Sequence, residues 1–277
     1  MKDSVEDGLM DTADAAEMSV VRRQELLEQA IPIARSAGDA ILSVYAADFP
    51  VRSKPDASPV TDADERAEAI IVAGLARQTP AIPVVSEEAA SAGRIPDVGR
   101  LFWIVDPLDG TKEFISRNGE FTVNIALIDS GMPVLGVVFA PALGRLYGGA
   151  IGMGAFSVDA AGSRTIHHVR PVPDGGLTIV SSRSHGDDTA LKRFLAGRQV
   201  ASSATAGSSL KFCLIASGVA DLYPRLGRTM EWDTAAGHAI LRAAGGHVTD
   251  LHGKEISYGK PGFENPHFVA CGAKLAS

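Results

Sequence analysis

The segment LFWIVDPLDGTKEF, residues 101–114, constrains the fold more than any other, because it joins an apolar strand to a helical turn through two aspartates. Residues 101–105 have the composition of a buried strand, Pro107 stiffens the turn that follows, and Thr111 begins a helical turn. Functional side chains often follow the carboxyl end of a strand. An ordinary tight turn is the plainer alternative, since proline, aspartate and glycine are the residues that tight turns use.

Two amphipathic helices are expected before this segment. Apolar residues recur at helical spacing over residues 22–45 and again over residues 62–78. Thr61 or Asp62 is the expected N-cap of the second helix, with Glu65 in its first turn as in a capping box.

Short apolar runs bounded by glycine, proline or acidic residues predict strands at 82–86, 101–105, 121–128 and 133–140. After the glycine-rich stretch GGAIGMGAF the pattern changes. Strands are then expected at 177–182, 219–225, 246–250 and 267–272, and helices at 188–196, 208–216 and 232–245. The chain has no internal repeat, so we expect layered α/β elements in two lobes, about 21–160 and 161–277, with a boundary between residues 150 and 175.

Composition excludes several classes of protein. The 277 residues carry 33 acidic and 26 basic side chains, and a net charge of −7 gives no general attraction for a nucleic-acid polymer. Two cysteines are too few for a disulfide framework, which favours a reducing compartment. Residues 1–20 are acidic, lack the pattern of a signal peptide and are expected to be a disordered tail. With no apolar run near the roughly 18 residues that span a bilayer, we expect a cytoplasmic protein, with peripheral contact with the inner membrane left open.

Acidic residues follow strand-like runs at two places and stand at the start of a helix at a third. Asp106 and Asp109 flank the proline turn, Glu87 and Glu88 follow the strand at 82–86, and Asp233 lies near the start of the helix at 232–245. Taken singly, each has a plain explanation as a turn, a solvated pair or a helix-dipole partner. Together they supply hard oxygen ligands, to which the carbonyl of Leu108 adds another, and such a set suits Mg²⁺ and a phosphate ester.

Other phosphate and metal motifs are absent from the sequence. The spacing of acids after Asp106 does not match a calcium-binding EF-hand loop, and neither a P-loop nor a G-x-S-x-G elbow occurs. Metal-assisted hydrolysis is the chemistry that remains. Backbone N–H groups at Gly110 and Thr111 are expected to bind a phosphate oxygen, and Asp64 is expected to hydrogen-bond the Thr111 hydroxyl and help it deprotonate a water.

The motifs SEE, WIVDPLDGT and WD, in this order and at these separations, resemble the magnesium-dependent, lithium-sensitive phosphatases related to inositol monophosphatase. Within that superfamily, DGTKEFISRNGEFTVNIALI is similar to the 3′(2′),5′-bisphosphate nucleotidases, since inositol monophosphatases typically have threonine and asparagine where Lys112 and Glu113 stand. SSRSH, GSSLKFC, LYPR and WDTAAGH strengthen the resemblance to the bacterial CysQ branch. It covers about residues 22–272 and implies an αβαβα sandwich that hydrolyses adenosine 3′,5′-bisphosphate to AMP and phosphate.

The resemblance also implies roles for individual residues. Glu87, Asp106 and the Leu108 carbonyl would bind one Mg²⁺, and Asp106, Asp109 and Asp233 a second, with two or three ions in all. Asp64, Glu87 and Thr111 would be catalytic. The residues expected to contact the nucleotide are Gly110, Thr111, Ser184, His185, Ser208, Lys211, Arg225 and Asp233.

Two rival functions stay open at this point. An inositol or sugar monophosphatase would use the same metal ligands but would have no 5′-phosphate for Lys211 and Arg225 to bind. A non-catalytic nucleotide-binding protein would ordinarily have lost one of the metal ligands. The sequence makes no prediction of the oligomeric state.

Overall fold

The computed structural model describes residues 18–53, 59–183 and 188–273. All but the last three residues of the expected tail therefore lie outside the described residues. Val20, the last of these three, belongs to the first helix. The helices are α1 (Val20–Tyr45), α2 (Asp62–Gln78), α3 (Glu87–Ser91), α4 (Thr111–Ile115), α5 (Asp188–Leu195), α6 (Leu210–Ala216) and α7 (Ala235–Ala243), with short 3₁₀ turns at Pro141–Leu143 and Pro261–Phe263.

The two long N-terminal helices form where apolar spacing predicts them. In α1 the side chain of Ser19 caps the first turn by accepting a hydrogen bond from the backbone N–H of Arg22 at 3.2 Å. Gly38, in the middle of α1, is needed because a Cβ there would lie 2.3 Å from the ring of Phe139. Thus α1 packs unusually close to the sheet beneath it.

A seven-stranded sheet forms the larger layer. Its strands run in the order β3 (Val84–Ser86), β4 (Leu101–Asp109), β5 (Thr122–Asp129), β6 (Met132–Ala140), β7 (Arg145–Ala150), β8 (Gly154–Val158) and β9 (Arg164–His167). Only the pair β3 and β4 is parallel among these neighbours, and the others are antiparallel. A separate two-stranded ladder joins β1 (Arg52–Ser53) to β2 (Pro59–Val60).

Three strands of this sheet were not predicted. The glycine-rich stretch at residues 148–156 contributes to both β7 and β8, and β9 follows them. The glycines make room for neighbours: a Cβ on Gly148 would lie 2.6 Å from the ring of Phe156, and one on Gly149 would lie 3.2 Å from Ile240 of α7. Because glycine replaces the β-branched residues that usually mark strands, the sequence signal is lost here.

A five-stranded sheet forms the second layer. Its order is β11 (Val200–Ala206), β10 (Leu177–Ser182), β12 (Leu222–Arg225), β14 (Phe268–Cys271) and β13 (His247–Asp250). β10 is parallel to both β11 and β12, whereas β14 is antiparallel to β12 and β13. The edge strand β11 was not predicted either, because six of its seven residues are exposed and it has no alternation of polar and apolar residues.

The layers stack as α1 and α2, the seven-stranded sheet, α6 and α7, the five-stranded sheet, and α5. Alternate residues of β4 face opposite ways: Trp103 packs in the cluster with α1 and α2, and Phe102 in the cluster with α6 and α7. Phe194 and Leu195 of α5 pack on the outer face of the five-stranded sheet. The expected αβαβα sandwich is therefore confirmed. In the part of the chain described, no helix has both the length and the apolar character to cross a bilayer.

Candidate active site

The turn after β4 is built by an irregularity in the β4–β5 ladder. Asp106 pairs with Asn124, but Asp109 pairs with Thr122, so the register shifts between the two aspartates. Asp106 Oδ1 accepts the backbone N–H of Leu108 at 3.0 Å, which fixes the turn. Gly110 then adopts φ 89°, a conformation that suits glycine, and α4 begins at Thr111. Both aspartates thereby reach one end of the sheet.

An acidic cluster forms where three elements meet. Glu87 is the first residue of α3, directly after β3, and Asp106 lies on the neighbouring parallel strand. Asp233 precedes α7 and its Oδ2 accepts the backbone N–H of Met230 at 2.8 Å. One carboxylate oxygen from each of Glu87, Asp106 and Asp233 lies within 4.8 Å of the others, which is close enough for a shared cation.

Asp109 lines the same cleft but lies outside this three-residue group. Its Oδ2 accepts a hydrogen bond from Asn124 Nδ2 at 3.2 Å and lies 3.2 Å from Ser209 Oγ. Burial raises the pKa of Asp109, and Lys211 opposes that shift. Burial also raises the pKa of Asp233, with the carboxylates of Asp109 and Glu87 adding to the effect. The acids therefore repel one another and lack solvation, which are the conditions that a divalent cation relieves.

The hydrogen bond expected between Asp64 and Thr111 is present, with Thr111 Oγ1 donating to Asp64 Oδ1 at 3.3 Å. Asp64 is buried, and its other oxygen, Oδ2, accepts the backbone N–H of Thr61 at 2.7 Å and the Thr61 hydroxyl at 2.8 Å. This is a capping box of α2 that uses Asp64, so the expectation for Glu65 was wrong. Glu65 instead pairs with Arg52 on the surface at 3.0 Å. The cap holds Asp64 so that its Oδ1 faces Thr111.

The acids line a cleft of about 700 Å³. Lys211 from α6 and Arg225 from β12 also line this cleft, and both side chains are buried. Its wall includes the rings of Tyr223, Trp232 and Phe263. Acidic groups, cationic groups and aromatic surface thus share one cavity, which suits a ligand with more than one phosphate and an apolar part.

Lys211 is hydrogen-bonded to the loop that precedes α6. Its Nζ donates to the carbonyl oxygens of Ser208 at 2.5 Å and Ala206 at 3.3 Å, and it lies 5.2 Å from the ring centroid of Tyr223. Burial lowers the pKa of Lys211 to about 8, and Asp109 opposes that shift. At pH 7 the side chain is therefore mostly a buried ammonium, which an anionic ligand would stabilise.

The other residues expected to contact substrate differ in what the structure says of them. Gly110 and Thr111 line the cleft at the start of α4. Ser208 also lines it, but its hydroxyl lies 2.8 Å from the carbonyl oxygens of both Asp109 and Glu120, so it joins two loops. Ser184 and His185 lie outside the described residues.

Sequence reasoning missed the residues that hold the acids in place. Asn124 Nδ2 donates to Ser209 Oγ at 2.9 Å as well as to Asp109, and Ser209 Oγ lies 2.8 Å from the carbonyl oxygen of Asp233. A signal for Asn124 exists, because it is the one amide side chain inside the apolar run FTVNIALI and a buried polar group requires partners. Ser209 and Thr61 carry no such signal, since serine and threonine are common in loops.

With this geometry in view, the comparisons with known proteins identify the class. A family model described as the inositol monophosphatase family matches residues 22–274. The chain belongs to the inositol monophosphatase family.

Individual relatives point to one branch of the family. A protein of Escherichia coli (strain K12) named 3′(2′),5′-bisphosphate nucleotidase CysQ is 49% identical over 246 residues, which cover 88% of this chain and 98% of that protein. The CysQ of Aggregatibacter actinomycetemcomitans is 36% identical over 263 residues, covering 88% and 91%. The crystal structure of CysQ from Bacteroides thetaiotaomicron has a TM-score of 0.76 at 39% identity and covers 91% of this chain and 98% of that one. An inositol monophosphatase from Anabaena aligns with a TM-score of 0.71 at 25% identity, covering 90% and 91%.

Proposed function

We propose that this chain is a 3′(2′),5′-bisphosphate nucleotidase that hydrolyses adenosine 3′,5′-bisphosphate to AMP and phosphate. The observation that carries the proposal is that the acidic cluster and the buried Lys211 and Arg225 line the same cleft. A substrate with two phosphates needs both groups, one for the phosphate that reacts and one for the phosphate that stays. The CysQ relatives have this activity in their names, at up to 50% identity over 88% of the chain.

We further propose that the acids bind Mg²⁺, with two or three ions in the working enzyme. Glu87, Asp106, Asp109, Asp233 and the Leu108 carbonyl would be the ligands, and this all-oxygen set fits Mg²⁺ better than a soft metal. When bound, the metal would polarise water and neutralise phosphate oxygens. The raised pKa values of Asp109 and Asp233 support the fit, because burial and the neighbouring carboxylates raise them and a bound cation would relieve both effects.

The protein's own contribution to water activation would come from Thr111 and Asp64. Thr111 donates its hydroxyl proton to Asp64 Oδ1, so its oxygen lone pairs are left to accept a proton from a water. Asp64 can receive the proton that Thr111 passes on, because only its Oδ2 is committed to the cap of α2. The backbone N–H groups at Gly110 and Thr111 would bind the phosphate that reacts.

The second phosphate would bind to the cationic residues of the cleft. Lys211 is the main anchor in this proposal, with Arg225 beside it, since Arg225 is one of the charges that lower the pKa of Lys211. Two neighbouring cations in a buried site are costly unless an anion is present. A phosphate dianion would supply that anion and would orient the nucleotide along the cleft.

The reaction is placed in the cytoplasm as part of the same proposal. Cys213 and Cys271 are both free and buried. Free thiols are the usual state of cysteine in a reducing compartment.

The main alternative is an inositol or sugar monophosphatase, because the chain is also 25% identical to the Anabaena inositol monophosphatase. A phosphate-release assay with Mg²⁺ decides between the two. The panel contains adenosine 3′,5′-bisphosphate, its sulfated form, inositol 1-phosphate and fructose 1,6-bisphosphate. We expect the highest kcat/KM for adenosine 3′,5′-bisphosphate, and a higher value for inositol 1-phosphate would overturn the proposal.

A further inference from the structure

Glu120 links the end of β10 to the loop that precedes α6, although it is not itself one of the residues that line the cleft. It lies just before β5, and its carboxylate accepts two hydrogen bonds from Arg183, from Nε to Oε2 at 3.0 Å and from Nη2 to Oε1 at 3.0 Å. Oε2 also accepts the backbone N–H of Gly207 at 2.8 Å. One carboxylate therefore links the end of β10 to the loop that precedes α6.

The backbone of Glu120 holds the same loop. Its carbonyl oxygen lies 2.8 Å from Ser208 Oγ, and the carbonyl oxygen of Asp109 lies 2.8 Å from the same atom. Ser208 has φ 50°, which is uncommon for a residue other than glycine and is kept only where its surroundings fix it. The contacts from Glu120 and Asp109 fix it here.

Two glycines let the loops approach this closely. A Cβ on Gly207 would lie 2.5 Å from the Glu120 carbonyl oxygen, and a Cβ on Gly110 would lie 2.3 Å from Ser208 Oγ. The loop 206–209 therefore packs in close contact with the turn that contains Asp109 and Gly110. Glu120 contacts this loop through its carboxylate and through its backbone carbonyl oxygen.

This loop in turn holds Lys211. The Lys211 ammonium donates hydrogen bonds to the carbonyl oxygens of Ala206 and Ser208, the residues on either side of Gly207. Hence the position of the ammonium depends on the backbone at residues 206–208, and the hydrogen bond from Gly207 to Glu120 fixes the centre of that backbone.

We propose that Glu120 is a positioning residue that sets substrate selectivity: it holds Gly207 and Ser208 so that Lys211 meets the 5′-phosphate of the nucleotide. This inference rests on the proposed function. Arg183 pairs with Glu120 and neutralises its charge, so that no net negative charge lies near the incoming phosphate. The carboxylate of Asp109 keeps a partner outside the loop 206–209, because Asn124 of β5 donates a hydrogen bond to it at 3.2 Å.

The test compares Glu120→Ala with Glu120→Gln. Alanine removes the acceptor for Gly207, whereas glutamine keeps an acceptor oxygen and removes only the charge. Two quantities are measured. The first is the dissociation constant for AMP, measured by calorimetry, because AMP keeps the 5′-phosphate and lacks the phosphate that reacts. The second is the ratio of kcat/KM for adenosine 3′,5′-bisphosphate over that for 3′-AMP. We expect Glu120→Ala to weaken AMP binding and to lower the ratio by about tenfold each, the size of one lost charge-assisted hydrogen bond, and Glu120→Gln to stay within about threefold of wild type.

Arg183→Ala is a second variant that tests the inference. It removes the ion pair with Glu120 but keeps the hydrogen bond from the Gly207 backbone to Glu120. It should weaken AMP binding by about threefold, as expected for a partly exposed ion pair, and its effect should not add to that of Glu120→Ala in the double variant. Glu25→Ala is the matched control, because Glu25 also pairs with an arginine at 2.9 Å but does so on the exposed side of α1.

The outcomes separate this inference from the proposed function. If wild type cleaves adenosine 3′,5′-bisphosphate but Glu120→Ala keeps both the ratio and the affinity for AMP, the positioning role is refuted while the activity stands. If both substrates fall together with the melting temperature, Glu120 serves only the fold and the inference is again refuted. A wild type with no activity on the bisphosphate refutes the proposed function itself. An unchanged Mg²⁺ concentration dependence in Glu120→Ala is expected, and a large shift would contradict the separation from Asp109.

Discussion

Replacing Lys211 with methionine tests the part of the site that distinguishes a bisphosphate nucleotidase from its monophosphatase relatives. The substitution keeps an unbranched side chain of similar length and removes only the ammonium. The phosphate that Lys211 is proposed to bind does not react, so the ammonium contributes binding energy and orientation rather than chemistry.

The expected size of the effect follows from the surroundings of the ammonium. A charge-assisted hydrogen bond contributes about 1.5–3 kcal/mol, which corresponds to about ten- to a hundredfold in kcat/KM. Arg225 lines the same cleft and would retain part of the interaction, so we expect the lower end of this range. The melting temperature is measured alongside, because the substitution relieves the cost of burying an ammonium but removes its hydrogen bonds to the carbonyl oxygens of Ala206 and Ser208.

The assay is the ratio of kcat/KM for adenosine 3′,5′-bisphosphate over that for 3′-AMP, in wild type and in Lys211→Met. It is run at pH 7, because the pKa of Lys211 is lowered to about 8 and the side chain is still mostly charged there. The ratio should fall about tenfold while 3′-AMP hydrolysis barely changes. An unchanged ratio would refute the 5′-phosphate anchor, and a parallel loss for both substrates together with a lower melting temperature would assign Lys211 to the fold.

Three further predictions concern water activation, metal binding and acid stability. Thr111→Val should lower kcat by about 10² to 10⁴ with little change in KM, and a wild-type kcat would remove Thr111 from the mechanism. Asp109→Asn should abolish Mg²⁺-dependent turnover with the circular dichroism spectrum preserved, whereas full turnover at the same Mg²⁺ concentration would disprove its role as a ligand. Burial lowers the pKa of His238 from 6.5 to about 4; the unfolded chain then binds the extra proton between these values, so His238 should lower the free energy of unfolding by about 2 kcal/mol from pH 7 to pH 5, an effect that the raised pKa values of Asp109 and Asp233 oppose. Urea titrations should show that His238→Gln has a smaller fall, and an equal fall would exclude His238 as the cause.

Elements with a strong apolar period were predictable from the sequence, and elements shaped by close packing were not. The helices α1 and α2 and the strands β4, β5 and β6 lie where the pattern indicates. Burial of one face gives the helices their spacing, and burial of both faces makes the strands continuous apolar runs. The start of α7 was placed three residues too early, at Trp232 rather than Ala235. Residues 232–234 form a turn instead, in which the backbone N–H of Asp233 donates to the Met230 carbonyl oxygen at 3.2 Å and the Asp233 carboxylate accepts the Met230 N–H at 2.8 Å.

The residues expected to carry the chemistry of the candidate site were predictable from the sequence. The residues that hold them in place were less so. The expected hydrogen bond between Asp64 and Thr111 is present, at 3.3 Å. The link from Asn124 to Asp109 depends on the register of β4 against β5, and the link from Ser209 to Asp233 spans 24 residues. Such contacts follow from the three-dimensional arrangement of layers, which periodicity alone does not give.

The layer between the two sheets carries both the buried ammonium and one of the acids. Lys211 lies on α6, and Asp233 lies in the turn that leads into α7, so the packing of α6 against α7 controls their separation. Gly237 permits that packing, because a Cβ there would lie 2.6 Å from the ring of Phe212, the residue next to Lys211. A larger residue at position 237 must therefore displace Phe212 and, with it, the proposed phosphate anchor. Close helix packing in the sandwich core thus sets the spacing between a proposed metal ligand and the proposed anchor for the phosphate that does not react.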